Sequence, residues 1–358
     1  MEQFIGTKPV AEQQRFDVAR LEAYLRAHVD GYAGSLEVEQ FKGGQSNPTY
    51  RLSAGGKRYV MRSKPAPAAK LLPSAHAVER EFRVISALGK TDIPVPRTYA
   101  LCEDEGVIGR AFYIMDCVEG RVLWDQTLPG MTNTERSAIY GEMNRVIAAL
   151  HKVDYQGIGL ADYGKPGNYF ARQIGRWSKQ YLASETEKIE AMDNLIAWLP
   201  NNIPAGDETA IVHGDYRLDN LIFHPTEARI LAILDWELST LGHPLADFSY
   251  HCMSWHIAPG AFRGIAGLDH AALGIPAEAD YIASYCRRTG RAGILHWDFY
   301  LAFGLFRIAA ILDGIAARAL KGTAASAQAV ETGKRARPMA ELGWQHAGRV
   351  LRQPVSSR

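Results

Sequence analysis

Cysteine is scarce. Cys102, Cys117, Cys252 and Cys286 are the four in 358 residues, and no two form a C-x-x-C pair. That spacing excludes a zinc-ribbon or disulfide framework and leaves reduced thiols, so a cytoplasmic protein is expected. An excess of charge is missing too. Forty Lys and Arg stand against 39 Asp and Glu. Nucleic-acid binders carry a basic surplus or stripe, and none is visible here. A neutral total still permits a local basic pocket for phosphate. The opening stretch "MEQFIGTKPVAEQQRF" has no apolar core, so no signal peptide is expected. Long uncharged apolar runs are also lacking. The most apolar segment, 297–320, holds Asp298, Arg307, Asp313 and Arg318. Charges at those depths argue for a buried helix and against a membrane span. There is no internal repeat.

What is present suffices for a large core. Hydrophobic residues make up 47% of the chain. Its length exceeds what one compact core usually holds, so two lobes are expected, 1–118 and 119–358. Phe16, Val18, Leu21, Tyr24 and Leu25 are spaced for a helix over 13–30. Residues 36–64 alternate in short runs broken by Gly43-Gly44 and Gly55-Gly56, the pattern of a β-meander. Val78, Phe82, Ile85 and Leu88 predict a helix over 77–90, with Gly89 as its C-cap. "IPVPRTYALCED" and "RAFYIMDCVEG" read as strands. After Gly120 helices dominate: 135–154, 168–184, 188–200, then to about 320 and again over 338–352. Strand-like runs return only at "AIVHGD", "NLIFHP" and "RILAILDWE". Residues 321–330 read as a loop. The expected class is α+β, with a small β-rich N-lobe and a larger, mainly helical C-lobe.

The stretch "IVHGDYRLDNLIFHP", 211–225, crowds ionisable groups between two apolar runs. Gly-Asp alone is a common turn pair. More is added by the spacing: Asp215, Asn220 five residues on, and Asp235 at the end of "RILAIL". A hairpin would bring the ends of its strands side by side. Asn and Asp are hard-oxygen ligands of the kind Mg²⁺ prefers, and a further Asp can orient or deprotonate a hydroxyl. Asp219 reads as a turn or solvent residue.

His213-Gly214-Asp215, Asn220 and Asp235-Trp236-Glu237 resemble the H-R-D-x-x-x-x-N and D-F-G signatures of protein kinases. With Gly in place of Arg and D-W-E in place of D-F-G, they are similar to the aminoglycoside phosphotransferase and choline kinase branch. The resemblance runs from about residue 36 to 320 and implies a bilobal protein-kinase-like fold. It implies ATP and Mg²⁺, with Asp215 as base or positioning group for the acceptor hydroxyl. Asn220 and Asp235 would hold the metal. Phosphoryl transfer needs positioning and charge neutralisation more than covalent chemistry, which agrees.

Upstream parts fall in the same order. Gly43, Gly44, Gln45, Ser46 and Asn47 would form the small-residue loop over the phosphates, although G-x-G-x-x-G is absent there. "RYVMRSK" occupies the place of V-A-I-K, which puts Arg62 at the lysine position. Lys64 is the rival, on the same side of an extended strand. Glu79 and Glu81 are both available as the helix partner, and Glu81 aligns better. Asp116 to Val118 resembles the hinge that meets adenine through its backbone, with Met115 in the core.

"LGHPLADFSY" follows the second metal Asp. There Asp247 is expected to fix the catalytic loop, and His243 and His251 to be interior histidines. The helix at 168–184, with 301–320, looks like the kinase-like domains fused to or encoded with acyl-CoA dehydrogenases. That subgroup implies a hydroxyacyl-CoA or hydroxy acid as acceptor. Arg172, Arg176 and Lys179 suit an anionic small molecule better than a polycationic drug. The phosphotransferase pattern already occupies these residues, so no dehydrogenase domain is expected among them. An aminoglycoside or choline kinase, and a non-catalytic nucleotide-binding module, stay open as alternatives. The sequence does not indicate an oligomeric state.

Overall fold

The computed structural model describes residues 6–42, 47–66, 77–320 and 329–352. The chain divides into two compact units: Met1–Trp124 with Gln156–Tyr163 and Asp219–Ser239, and Asp125–Tyr155 with Gly164–Leu218 and Thr240–Arg358.

The first unit is built on an antiparallel sheet. Its strands are β1 (Thr7–Lys8), β2 (Glu37–Phe41), β3 (Thr49–Ala54), β4 (Lys57–Ser63), β5 (Thr98–Cys102) and β6 (Phe112–Asp116), in the order β1-β2-β3-β4-β6-β5. The β3–β4 hairpin closes on Gly55 and Gly56 at φ +54° and +75°. Ala54 pairs with Lys57 across this two-residue loop. Both turn positions need left-handed backbone, which is why a glycine pair sits there. In β3, Tyr50, Leu52 and Ala54 are buried alternately with half-buried neighbours.

Strand β4 is buried on both faces from Tyr59 onward. Met61 joins Tyr50, Leu52, Phe112 and Ile114 in one cluster under Leu21 and Leu25 of α1 (Val18–His28). The period of two then sends Arg62 to the opposite face. That face is covered by α2 (Val78–Leu88), which packs on β5 and β6. Helix α3 (Glu105–Ile108) adds Ile108 to the cluster. Apolar spacing on α2 points to Phe82 as a core residue, but Phe82 is only half-buried. Glu81, beside it, is 1% exposed. Gly89 does cap α2, at φ −61°, so its freedom to be left-handed is not used. A second sheet in this unit has β7 (Arg121–Val122), β9 (Leu221–Phe223) and β10 (Ile230–Ile233) in the order β10-β9-β7.

The second unit is mainly helical. A Thr132–Glu135 capping box starts α4 (Asn133–His151). Then come α5 (Tyr169–Ser184), α6 (Glu190–Trp198), α7 (Pro244–Cys252), α8 (His270–Leu273), α9 (Glu278–Thr289), α10 (Trp297–Leu320), α11 (Ala329–Gly333) and α12 (Ala336–Arg352). Of the loop expected at 321–330, residues 321–328 lie outside the described residues. Helix α10 is long and apolar enough to cross a membrane, yet its most apolar window is 83% buried against its neighbours α5, α7 and α12. Two short strands, β8 (Ala210–Val212) and β11 (Thr240–Gly242), pair antiparallel, with Val212 opposite Thr240. That ladder brings the start of α7 beside the residues that follow β8.

Candidate active site

Arg62 is the hub of the first unit. Its side chain is 11% exposed, and three carboxylates surround it. Nε lies 2.9 Å from Glu81 Oε2, as an ion pair without an aligned N–H. One terminal nitrogen donates to Asp235 Oδ1 at 2.7 Å and lies 3.5 Å from Glu237. Glu81 is held from its other sides. Asn47 Nδ2 donates to Oε1 at 2.7 Å and the Tyr113 hydroxyl to Oε2 at 3.2 Å. Tyr113 lies directly across the ladder from Arg62, which explains their shared partner. Burial by itself pushes the Arg62 pKa down, but Glu81, Asp235 and Glu237 outweigh it and keep the guanidinium charged. Burial pushes the Glu81 carboxyl up, against the pull of Arg62. Lys64 pairs instead with Glu79, at a half-exposed position. The two cations and two acids thus form separate pairs, and the buried pair is Arg62 with Glu81.

The β9–β10 hairpin brings Asn220 and Asp235 together. Leu221 pairs with Ile233, and the Leu234 N–H donates to the Asn220 carbonyl at 2.8 Å. Both side chains therefore leave the same end of the hairpin. Asp235 has φ +65°, a rare conformation for a residue with a side chain and one that concentrates at functional sites. An amide and a carboxylate oxygen fit Mg²⁺, which takes one or two protein ligands and completes its shell with phosphate and water. Asp219 is only 8% exposed within the short turn Leu218–Asn220. It is thus a turn residue but not a solvent residue, because the turn directs it inward.

Asp215 belongs to the second unit. It follows β8 through Gly214, whose φ of +82° makes the turn possible. Asp247 in the first turn of α7 fixes that turn. Its carboxylate accepts the His213 N–H at 2.7 Å and the Gly214 N–H at 2.8 Å. Asp247 is 2% exposed. Burial pushes its carboxyl up, but the hydrogen bond from His151 and the nearby His213 hold it below the usual range. The Asp215 N–H donates to His213 Nδ1 at 3.1 Å. At the working end, the Tyr250 hydroxyl donates to Asp215 Oδ1 at 2.9 Å, and Arg217 Nε lies 3.3 Å from Oδ2. Burial raises the Tyr250 pKa, and Asp215 raises it further, so the phenol keeps its proton.

Other expected residues fall as follows. Gly43, Gly44, Gln45 and Ser46 lie outside the described residues; Asn47 is fully buried against Glu81. Asp116 ends β6, where its N–H donates to the Arg97 carbonyl at 2.8 Å. Its side chain accepts from Tyr99 at 2.5 Å. Val118 and Asp116 are half-buried, and Met115 is in the core. His243 and His251 are interior, each pushed down to about 4 by burial. Arg172 donates to the Lys165 carbonyl, while Arg176 and Lys179 are exposed on α5. None of these three lines the recess beside Tyr250. Sequence reasoning missed Tyr250, Arg217 and Glu237. A signal existed for Tyr250: it stands one helical turn beyond Asp247, on the same face of α7.

Residues 37–299 match the family described as the phosphotransferase enzyme family. The mouse protein named acyl-CoA dehydrogenase family member 10 is 46% identical over 96% of this chain. The chain spans 32% of that relative, and less than half the length of the other curated relatives it matches. A crystal structure from Ralstonia eutropha JMP134, provisionally named an aminoglycoside phosphotransferase, is 67% identical. The likeness covers 94% of this chain and 99% of that one, with a TM-score of 0.86. A choline kinase from Cryptosporidium parvum Iowa II shares the kinase-like fold at 12% identity, covering 94% and 96%, with a TM-score of 0.63. By its matched domain and by its relatives, this chain belongs to the phosphotransferase enzyme family.

Proposed function

We propose that the chain is an ATP- and Mg²⁺-dependent phosphotransferase whose acceptor is the hydroxyl of an anionic small molecule, a hydroxy acid or a hydroxyacyl-CoA. The observation that carries this reading is the buried Arg62 held between Glu81 and Asp235 at 2.9 and 2.7 Å. Such a constrained fork presents fixed donors to phosphate oxygens. Asn220 and Asp235 would hold Mg²⁺, which when bound offsets phosphate charge. The backbone of Asp116 to Val118 would meet the base.

Asp215 orients the acceptor hydroxyl and takes its proton as the oxygen attacks the γ-phosphorus. The new P–O bond forms as the bond from that phosphorus to the bridging oxygen breaks, and its electron pair leaves with ADP. Tyr250 holds Asp215 in place throughout, and Asp247 holds the turn that carries it. The acceptor class rests on the relatives named for acyl-CoA dehydrogenases and on the cations beside Asp215.

ATP consumption stimulated by a metabolite library tests the reading, with kanamycin, choline and a 4-hydroxyacyl-CoA as references. We expect stimulation by the CoA ester. Clear kanamycin turnover beside none with the ester overturns the acceptor class. Nucleotide binding without stimulation by any compound makes the chain a non-catalytic module.

A further inference from the structure

Arg307 sits in the middle of α10, the most apolar helix of the chain, and is 5% exposed. Among the described residues it forms no ion pair, and its Nε finds no hydrogen-bond partner. Its guanidinium is stacked on rings instead. The central carbon lies 5.7 Å from the centroid of Trp177 and 5.2 Å from that of Tyr250. Ring stacking offsets part of the desolvation of a cation, but a buried charge without a counter-ion remains unfavourable. A mid-helix arginine in such a place is accounted for if an anion arrives.

The surroundings point the same way. Tyr250 is the phenol that binds Asp215. Tyr250 lines a small open recess with Arg217 and Arg263, beside the apolar Ile257, Met253 and Phe262 and the polar Gln126 and Ser254. The Tyr250 hydroxyl feels one carboxylate, Asp215, against three guanidinium groups, Arg217, Arg307 and Arg263. The recess beside the phenol thus carries two guanidinium groups and also offers apolar wall.

We propose that Arg307, with Arg217 and Arg263, forms an anion subsite that takes the carboxylate or phosphate group of the acceptor alcohol while its hydroxyl faces Asp215. The inference rests on the reading of Asp215 as the acceptor base. It assigns recognition of the acceptor's charge to α10, where Arg307 meets the Tyr250 ring, together with Arg217 and Arg263, which line the recess. The planar fork suits either oxyanion, because both present paired oxygens.

Arg307→Met and Arg307→Lys test it, with 4-hydroxybutyrate, its CoA thioester and the uncharged 1,4-butanediol as probes. Binding is read by calorimetry, turnover as KM and kcat, and folding by melting curves. In Arg307→Met, Kd and KM rise about 10- to 100-fold for at least one anionic probe, the scale of a lost bond to a charged group. For the diol both stay within about threefold. Arg307→Lys keeps the charge and the stem, and falls between. Loss for the acid points to the carboxylate, and loss for the thioester alone to the phosphates of CoA. Equal changes for diol and anions, or wild-type protein that binds neither anion more tightly than the diol, overturn the proposal. Asp215→Asn separates the two readings. It should retain the Arg307-dependent binding of anions and lose transfer. Wild-type transfer by Asp215→Asn removes the base assignment; dead Asp215→Asn beside unchanged discrimination in Arg307→Met removes only the subsite.

Discussion

Arg62→Met takes the cation out of the buried cluster while keeping much of the side chain's volume. Glu81, whose side chain is 2% exposed, is then left as a carboxylate in the protein interior. Asn47 and Tyr113 still donate to it, so it loses its charge partner but not its hydrogen bonds. Removing one member of a buried pair typically costs about 3–5 kcal/mol. That is a large share of the ~5–15 kcal/mol that holds a domain folded. The cost depends on pH, and its sign follows from Glu81. Burial already pushes its carboxyl up, and Arg62 opposes the push. Without Arg62 the folded-state value climbs further above the unfolded value of about 4.3. Below that unfolded value the carboxyl is protonated in both states and the penalty is absent. The penalty grows as pH rises towards and through the folded-state value. Urea unfolding at pH 5 and pH 8 reads this directly. We expect a larger deficit at pH 8, most of it restored in Arg62→Met/Glu81→Gln. A deficit independent of pH, or a double variant no more stable than the single one, would refute the reasoning.

Asp215→Asn should fold and bind nucleotide as the wild type does but lower transfer by about 10²–10⁴-fold, measured as acceptor-stimulated ATP consumption. Asp235→Ala should weaken Mg²⁺-nucleotide binding by about tenfold or more in calorimetry, since it takes a carboxylate from both the metal and Arg62. Asp247→Ala leaves the buried N–H groups of His213 and Gly214 without an acceptor, at about 1–3 kcal/mol each, so its melting midpoint should fall at neutral pH. Because the Asp247 carboxyl is held low, its contribution is present above the ordinary carboxylate range. It disappears as pH falls through the lower folded-state value, so the difference from wild type should shrink in strong acid.

The layout of the fold was legible where a pattern has a short period. Gly55-Gly56 marked the β3–β4 hairpin, and the alternation of β3 and the polar breaks around Asn220 and Asp235 marked the strands. Helix content after Gly120 followed from spacing in the same way. The start of α1 was less legible, because residues 12–14 form a short 3₁₀ turn and the helix begins at Val18. Phe82, spaced for the core, is only half-buried, while Glu81 beside it is buried, because Arg62 and Tyr113 offer it polar partners on that face.

Asp215, Asn220 and Asp235 stood out in the sequence by type and spacing, since hard-oxygen ligands and turn residues are chemically distinctive. The sequence also narrowed the cation to Arg62 or Lys64 and the acid to Glu79 or Glu81. Only the tertiary structure paired them, because pairing depends on which strand face meets α2 and how deeply. The same holds for Asp219, turned inward, for Tyr250 on Asp215, and for Arg307, whose charge argued in the sequence only against a membrane. Burial and the identity of a neighbour distant in the chain are properties of packing, and no local period encodes them.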